Sequence, residues 1–346
     1  DKNKYKDLKD FTGKKIAAQK GTDQEKIAHN EIKDSQVSSL NRLPESILAL
    51  KSGKVVGTIV EKPVGEAYLK QNPELEFADV KFNEEKKPTC IAVPKNSPIL
   101  LKHLNQTIDE VNNKNLIDKY MNQAAQDMQD DGNFFTKYGS FFIKGIKNTI
   151  LISLVGVILG SILGAFIALL KINKFKPLSW LASIYIEFLR GTPMLVQVFI
   201  VFFGTTAALG LDVSALICGT IALIINSSAY IAEIIRAGIN AVDKGQMEAA
   251  RSLGLNYIQT MKSVIMPQAI KNILPALGNE FVTLIKESSI VSTIGVGEIM
   301  FNAQVVQGIS FDPFTPLIVA AVLYFILTFA LSRIMSLVEG RMKASD

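Results

Sequence analysis

The run from Asn148 to Leu170, NTILISLVGVILGSILGAFIALL, constrains this chain more than any other stretch, because its 23 residues carry no formal charge. As a helix rising ~1.5 Å per residue it is long enough to cross ~30 Å of hydrocarbon. Gly191 to Leu211, Val213 to Ala232 and Phe314 to Ser332 are further runs of about spanning length. Ile270 to Ile285 is weaker, since Lys271 and Glu280 interrupt it. An interrupted span belongs beside a cavity or inside a bundle and not against lipid. Five spans are predicted.

Before Phe141 the chain is of another kind. From Asp1 to about Tyr138 it is rich in Lys, Asp, Glu and Asn and reads as soluble. Two regimes in 346 residues imply at least two domains. Cys90 and Cys218 fall in different regimes and are not expected to pair, and neither forms a metal spacing with His29 or His103. No metal site is predicted. No G-x-x-x-x-G-K-[ST] occurs, so no P-loop binds nucleotide here. The opening DKNKYKDLKDFTGKK has neither an initiator Met nor a signal peptide and reads as the middle of a longer protein.

Charge predicts the orientation. Lys171, Lys174 and Lys176 separate spans one and two, whereas only Asp212 lies between two and three. Arg236, Lys244, Arg251, Lys262 and Lys271 surround the connection from three to four, and Glu287 to Pro313 has no Lys or Arg. Arg333, Arg341 and Lys343 mark the tail. By the positive-inside rule the N-terminus lies outside and the C-terminus in the cytoplasm. Lys144 and Lys147 sit on the wrong side, on an expected interfacial lead-in helix. The net charge of +5 is thereby largely assigned to topology and needs no nucleic acid partner.

Within the spans, Gly156, Gly160 and Gly164 repeat every four residues, one smooth helix face for close packing. Thr192-Pro193 is expected to bend the second span. Glu187 with Arg190, and Glu233 with Arg236, are acid–base pairs at i, i+3. They read either as snorkelling ends or as part of a translocation path, for which Asn226, Ser227, Ser228 and Glu280 are the other polar candidates.

Between spans three and four stands EAARSLGLNYIQTMKSVIMP. Glu248 to Leu253 suits a short helix ended by Gly254. Two alanines on its surface would let a partner's groove approach closely, and Glu248 would offer a carboxylate. The pattern resembles the cytoplasmic loop of ABC-type importer permeases: Glu248, Ala249, Ala250, three residues, Gly254, nine residues, then Val264, Met266 and Pro267. Valine and methionine stand where the family commonly has Ile and Leu. The resemblance implies a coupling helix, 248–254, with Arg251 in it, that docks in a cleft of a separate cytoplasmic ATPase. YIEFLRGTPMLVQVFIVFFG, AYIAEIIRAGI and KESSIVSTIGVGEI are similar to the subfamily importing polar amino acids. Together these motifs cover Phe141 to about Met342.

In the soluble half, Lys14 to Gln19 reads as a strand, followed by Thr22-Asp23-Gln24-Glu25, a capping box opening a helix. Backbone N–H groups there suit a carboxylate. A second strand, Lys54 to Val60, ends at Glu61 before another helix. Strand carboxyl ends line the ligand crevice of open α/β sheets, so the two ends together would hold a zwitterion. An ordinary capped helix and a surface Glu is the plainer alternative. GKKIAAQKGTDQE, LKSGKVVGTIVEKPVGEAYLKQNPEL and TCIAVPKNSPILLKHLNQTIDEVNNKNLIDKYM are similar to bilobed amino-acid-binding proteins. That likeness implies Thr22 and the Asp23 backbone at the ligand α-carboxylate, Glu61 at its ammonium, and Gln19 near its side chain. The family commonly has Asp where Glu61 stands, and Asp23 must point away from the carboxylate.

The expected fold class is therefore mixed. An incomplete α/β lobe like those of periplasmic binding proteins (1–128) precedes a linker (129–140) and an all-α five-span permease domain (141–342). Within the first, 11–85 match the second lobe and 88–128 the return into the first, whose opening part is missing, so a longer natural N-terminus is expected. The resemblance implies the permease subunit of an ATP-driven importer of glutamine, glutamate or similar amino acids, with a fused extracellular receptor. It is not itself an enzyme. ATP and Mg belong to a partner ATPase dimer, a second permease subunit completes the pore as a homodimer, and no cofactor is expected in this chain. Fusion points to the plasma membrane of a bacterium without an outer membrane. The alternative is an amino-acid-gated ion channel, since Thr293 to Gly297 resembles a potassium filter. Glu298 abuts it, however, and Lys286-Glu287 leave little room for a pore helix.

Overall fold

The computed structural model describes residues 5, 7–82, 90–120, 123, 133–173 and 175–343. Lys174, residues 83–89, most of 121–128 and linker residues 129–132 lie outside them. The chain forms two compact units, Asp1–Tyr138 with Gln307–Phe314, and Gly139–Val306 with Thr315–Asp346.

In the first unit, β1 (Lys15–Gln19) is followed by α1 (Asp23–Glu31), β2 (Gln36–Leu40), α2 (Leu43–Lys51), β3 (Gly57–Thr58), α3 (Lys62–Gln71) and α4 (Pro98–Asn113). The strands make a parallel sheet in the order β2-β1-β3. Its centre is apolar because Ile16, Ala17 and Ala18 are all buried, as both faces of a central parallel strand require. The predicted strand Lys54 to Val60 shrinks to Gly57–Thr58. Its first N–H groups are spent elsewhere, since those of Lys54 and Val55 both donate to the Ala49 carbonyl. Phe11, Ile16 and Ile32 form a small core. A cavity of about 630 Å³ lies among Phe11, Ile16, Val56, Phe77 and Val80. None of the residues of α4 is buried. The sheet is thus a smaller element than the lobe expected from the sequence.

The second unit is helical. α5 runs from Phe134 to Ile172, so residues 134–140 of the expected linker are helix. Lys144 and Lys147 stand on this same continuous helix and not on a separate lead-in. Gly160 and Gly164 face α8 (Ala215–Asn240), and Gly156 lies between Leu223 of α8 and Leu284. A methyl at Gly164 would lie 2.8 Å from the Ser228 carbonyl, and one at Gly160 would strike Ser227 Oγ.

The second predicted span is a broken pair, α6 (Lys176–Gly191) and α7 (Met194–Leu209), bent by 107°. Proline supplies no N–H and pushes the preceding residue out of helical geometry, so Thr192 (φ −113°, ψ 146°) ends one helix and Pro193 caps the next. After α8 come α9 (Lys244–Ser252) and α10 (Tyr257–Thr260). A π turn at Met261–Ile265 leads into α11 (Met266–Glu287), followed by a 3₁₀ segment Ser288–Ile294, α12 (Ile299–Ser310) and α13 (Thr315–Lys343). The stretch Tyr257–Ile294 is bent by 49° from α12, so the fourth predicted span is longer than Ile270 to Ile285 and is itself broken. Among the described residues three helices are long and apolar enough to cross a membrane, or up to five spans if each bent pair counts once. The channel-like Thr293-Ile-Gly-Val-Gly297 is the end of a 3₁₀ turn closed by Gly295 at φ +88°.

The second bend is pinned to α5. Asn148 Nδ2 donates to the Gly297 carbonyl at 2.7 Å, and Ile299 N donates to Thr149 Oγ1 at 3.3 Å. Glu298 is fully buried and accepts from Met300 N (2.9 Å) and Phe301 N (2.6 Å), capping α12. Tyr324 of α13 also donates to this carboxylate.

Candidate functional site

The loop between α8 and α11 is built from the chain outward. α9 starts at Lys244, four residues ahead of the predicted Glu248, because Asp243 caps it by accepting from Gly245 N at 2.6 Å. Lys244 and Gly245 therefore belong to the first turn of the helix. The helix closes with Leu253, and Gly254 takes φ +88°, a backbone that favours glycine. Asn256 and Gln259 then form a reciprocal capping box, both bonds 2.9 Å, that opens α10.

Glu248, Ala249 and Arg251 are exposed. Ala250 is buried at 5% exposure, so only one of the two alanines lies on the surface as expected; the other lets the helix sit close on the turn beneath. Arg251 donates to the Leu255 carbonyl at 3.3 Å. Leu253 (84% exposed), Tyr257 and Ile258 (75%) stand out as large apolar groups beside Glu248 in sequence. Polar loops seldom show such groups without a partner to cover them.

The translocation candidates separate into three places. Asn226 Nδ2 donates to Gln197 Oε1 at 2.9 Å. Gln197 Nε2 in turn donates to the Leu189 carbonyl (2.7 Å), the Thr192 carbonyl (3.1 Å) and Thr192 Oγ1 (2.9 Å). Asn226 thus serves the break between α6 and α7. Gln197 was not singled out in the sequence; a lone glutamine four residues after Thr-Pro was its only signal. Ser227 donates to the Gly156 carbonyl at 3.3 Å, and Ser228 meets the Tyr185 hydroxyl at 2.7 Å, so both join neighbouring helices. Glu233 gathers cations: Lys171 at 2.6 Å, Arg236 at 2.7 Å and Arg190 at 4.0 Å. Arg190 does not pair with Glu187 as the spacing predicted; it reaches across to α8 and lies over the Tyr230 ring at 5.4 Å. Glu280 stands apart, 8% exposed on α11, and no hydrogen bond or ion pair holds its carboxyl among the described residues.

In the first unit, Thr22 Oγ1 accepts from Glu25 N at 3.4 Å and donates to the Gln19 carbonyl at 2.6 Å. Glu25 accepts from Gly21 N at 2.7 Å and from Ser39. These two donors, Ser39 first, hold its carboxyl below the usual carboxylate range. The Gly21 N–H is therefore already held by Glu25 instead of facing a ligand. Asp23 pairs with Lys26 at 2.9 Å. Gln19 donates to the Asn41 carbonyl at 3.3 Å. Ile16 pairs with Gly57 and Ala17 with Thr58 in parallel, Gln19 ends β1, and Glu61 follows the end of β3 by three residues. The sheet so brings Gln19 and Glu61 to the same end of neighbouring strands.

Among the described residues no cluster of His, Cys, Asp and Glu could hold a metal ion. Residues 156–344 match the family model described as binding-protein-dependent transport system inner membrane component. The arginine transport system permease protein ArtQ of Bacillus subtilis is 44% identical over 206 residues, 60% of this chain and 94% of that one. A putative glutamine transport system permease protein GlnP of Rickettsia bellii is 42% identical over 205 residues, 59% of this chain and 94% of its own. A crystal structure of an amino acid ABC transporter with histidines superposes with a TM-score of 0.58 at 48% identity, covering 61% of this chain and 99% of that one.

Proposed function

Because the chain belongs to the binding-protein-dependent transport system inner membrane component family, we propose that it is the membrane subunit through which polar amino acids are imported at the expense of ATP. Hydrolysis belongs to a separate ATPase subunit. The observation that carries this reading is α9 with its surroundings: a capped, rigid helix presenting Glu248 and Ala249, with Leu253, Tyr257 and Ile258 uncovered beside it. A partner of 20–30 contact residues would bury such a patch and read Glu248 with a cation. Glu248 to Gly254 would pass the motion of a paired ATPase, loaded with ATP and Mg, into α8 and α11.

A second copy of the chain completes the pathway in this reading, and the N-terminus lies outside. Glu280 is the strongest of the path candidates, because an unheld carboxyl inside an apolar bundle suits a passing ammonium group. The small parallel sheet, with Gln19 and Glu61 at one end and Thr22 capping α1, supports a fused receptor segment. Glutamine and arginine are the substrates to test first, since the two relatives bear the names of an arginine and a putative glutamine transport system permease.

The test is ATP-driven uptake of labelled glutamine and arginine by the full chain reconstituted with its ATPase, with and without Glu248→Lys. Uptake that needs ATP and vanishes in the variant is expected. Flux of ions without ATP would overturn the importer reading, and a variant as active as wild type would overturn the role of α9.

A further inference from the structure

We propose that Lys171, Arg190, Arg236 and Glu233, at the junction of α5, α6 and α8, form a binding site for the phosphate of an anionic phospholipid. Three cations converge on one carboxylate. The C-terminal ends of α5, at Lys171, and of α6, at Arg190, offset about half a charge each at most, so the cluster keeps about one uncompensated positive charge. Lys171 and Glu233 are mostly buried, with side-chain exposures of 19% and 17%, and they hold the frame. Arg236 (37%) gives Nε and Nη2 to Glu233 and leaves its Nη1 edge, whereas Arg190 (44%), 4.0 Å from Glu233, keeps its guanidinium partly open, a planar fork matched to a phosphate. Stacking over Tyr230 fixes the plane of Arg190.

The neighbouring surface points to a lipid as the source of that phosphate. α6 leaves Trp180, Leu181, Ile184 and Phe188 exposed, and the same helix ends in Arg190. An apolar stripe with a tryptophan, ending in a cation, is how a helix lies at the boundary between acyl chains and headgroups. The bend of 107° after Gly191 gives α6 a course far from that of α7, as an interfacial helix beside a spanning one requires. Basic pockets between spanning helices on the cytoplasmic side are where anionic headgroups bind. Which leaflet this is rests on the orientation proposed above; the binding does not.

The test is native mass spectrometry of the full chain offered equal phosphatidylglycerol and phosphatidylcholine. Wild type is expected to retain the anionic lipid about ten-fold over the zwitterionic one. Arg190→Gln with Arg236→Gln should bring the two lipids level, whereas Lys262→Gln, also basic but elsewhere, should leave the preference intact. Glu233→Gln removes the only carboxylate in the cluster and should raise retention, so a double variant that fails to fold does not end the test. Equal retention of both lipids by wild type, or an unchanged preference in the double variant, overturns the site. Displacement of the lipid by excess inorganic phosphate would assign the cluster to free phosphate and overturn the lipid source. Since no ATP or amino acid enters this assay, its failure is separate from failure of the uptake experiment.

Discussion

Gln197 holds the break between α6 and α7 from one side chain. Its amide closes three acceptors left open where α6 stops, and Asn226 fixes which way that amide points. Replacing Gln197 by Leu strands buried carbonyls, which costs about 2 to 3 kcal/mol, and a lower melting temperature in detergent is the expected reading. Asn226→Ala should cost less, about 1 kcal/mol, and the two should be non-additive, because each loses the same bond. At Gly160 the same scale of argument applies to volume. A valine there meets Ser227 directly, so Gly160→Val is expected to destabilise by about 1 to 3 kcal/mol, with partial recovery on adding Ser227→Gly. Additive losses in the pair would contradict the contact.

Among the elements, α9 shows how much was readable and how much was not. The Glu-Ala-Ala helix and its glycine stop were legible, since Gly254 adopts the left-handed backbone for which the residue is suited. Its start was not, because Asp243 reads equally as a loop residue until its carboxylate is seen over Gly245 N. Asp243→Ala should fray the first turn by about 1 kcal/mol, visible as faster amide exchange at Gly245 to Glu248 with the rest of the unit unchanged. The division of the second span was half visible: Thr192-Pro193 announced a bend, but the charges Glu187 and Arg190 disguised α6 as a flank. Gln197 was missed for a related reason, because one amide in an apolar run barely alters its hydropathy. β3 was overestimated because pattern alone does not tell which N–H groups α2 has already taken. The glycine stripe on α5, a matter of spacing alone, was read correctly as a packing face.

For the whole molecule, the alternation of basic and neutral loops makes a prediction about sides. Single cysteines at Ile258 and at Asp212, each placed in a Cys90→Ser, Cys218→Ser background, should react with an impermeant maleimide from opposite faces of sealed vesicles. Labelling of both from one face would refute the proposed topology. The broken spans matter at this scale too. A straight helix moves as one rod, whereas α6 with α7, and the segment Tyr257–Ile294 with α12, each offer two bodies joined at a defined turn. Tyr324 and Glu298 tie the second of these turns to α13, and Asn148 and Thr149 tie it to α5.

The close seating of α5 on α8 also bears on how this sequence is able to drift. Gly160 has no room to grow while Ser227 and Ile231 keep their size, and Gly164 is hemmed by the backbone of Ser228, which no substitution removes. Position 160 can therefore change only in step with its neighbour across the interface, as a linked pair. Position 164 has no such escape. Lineages descending from this chain should carry paired changes at the first and a fixed glycine at the second.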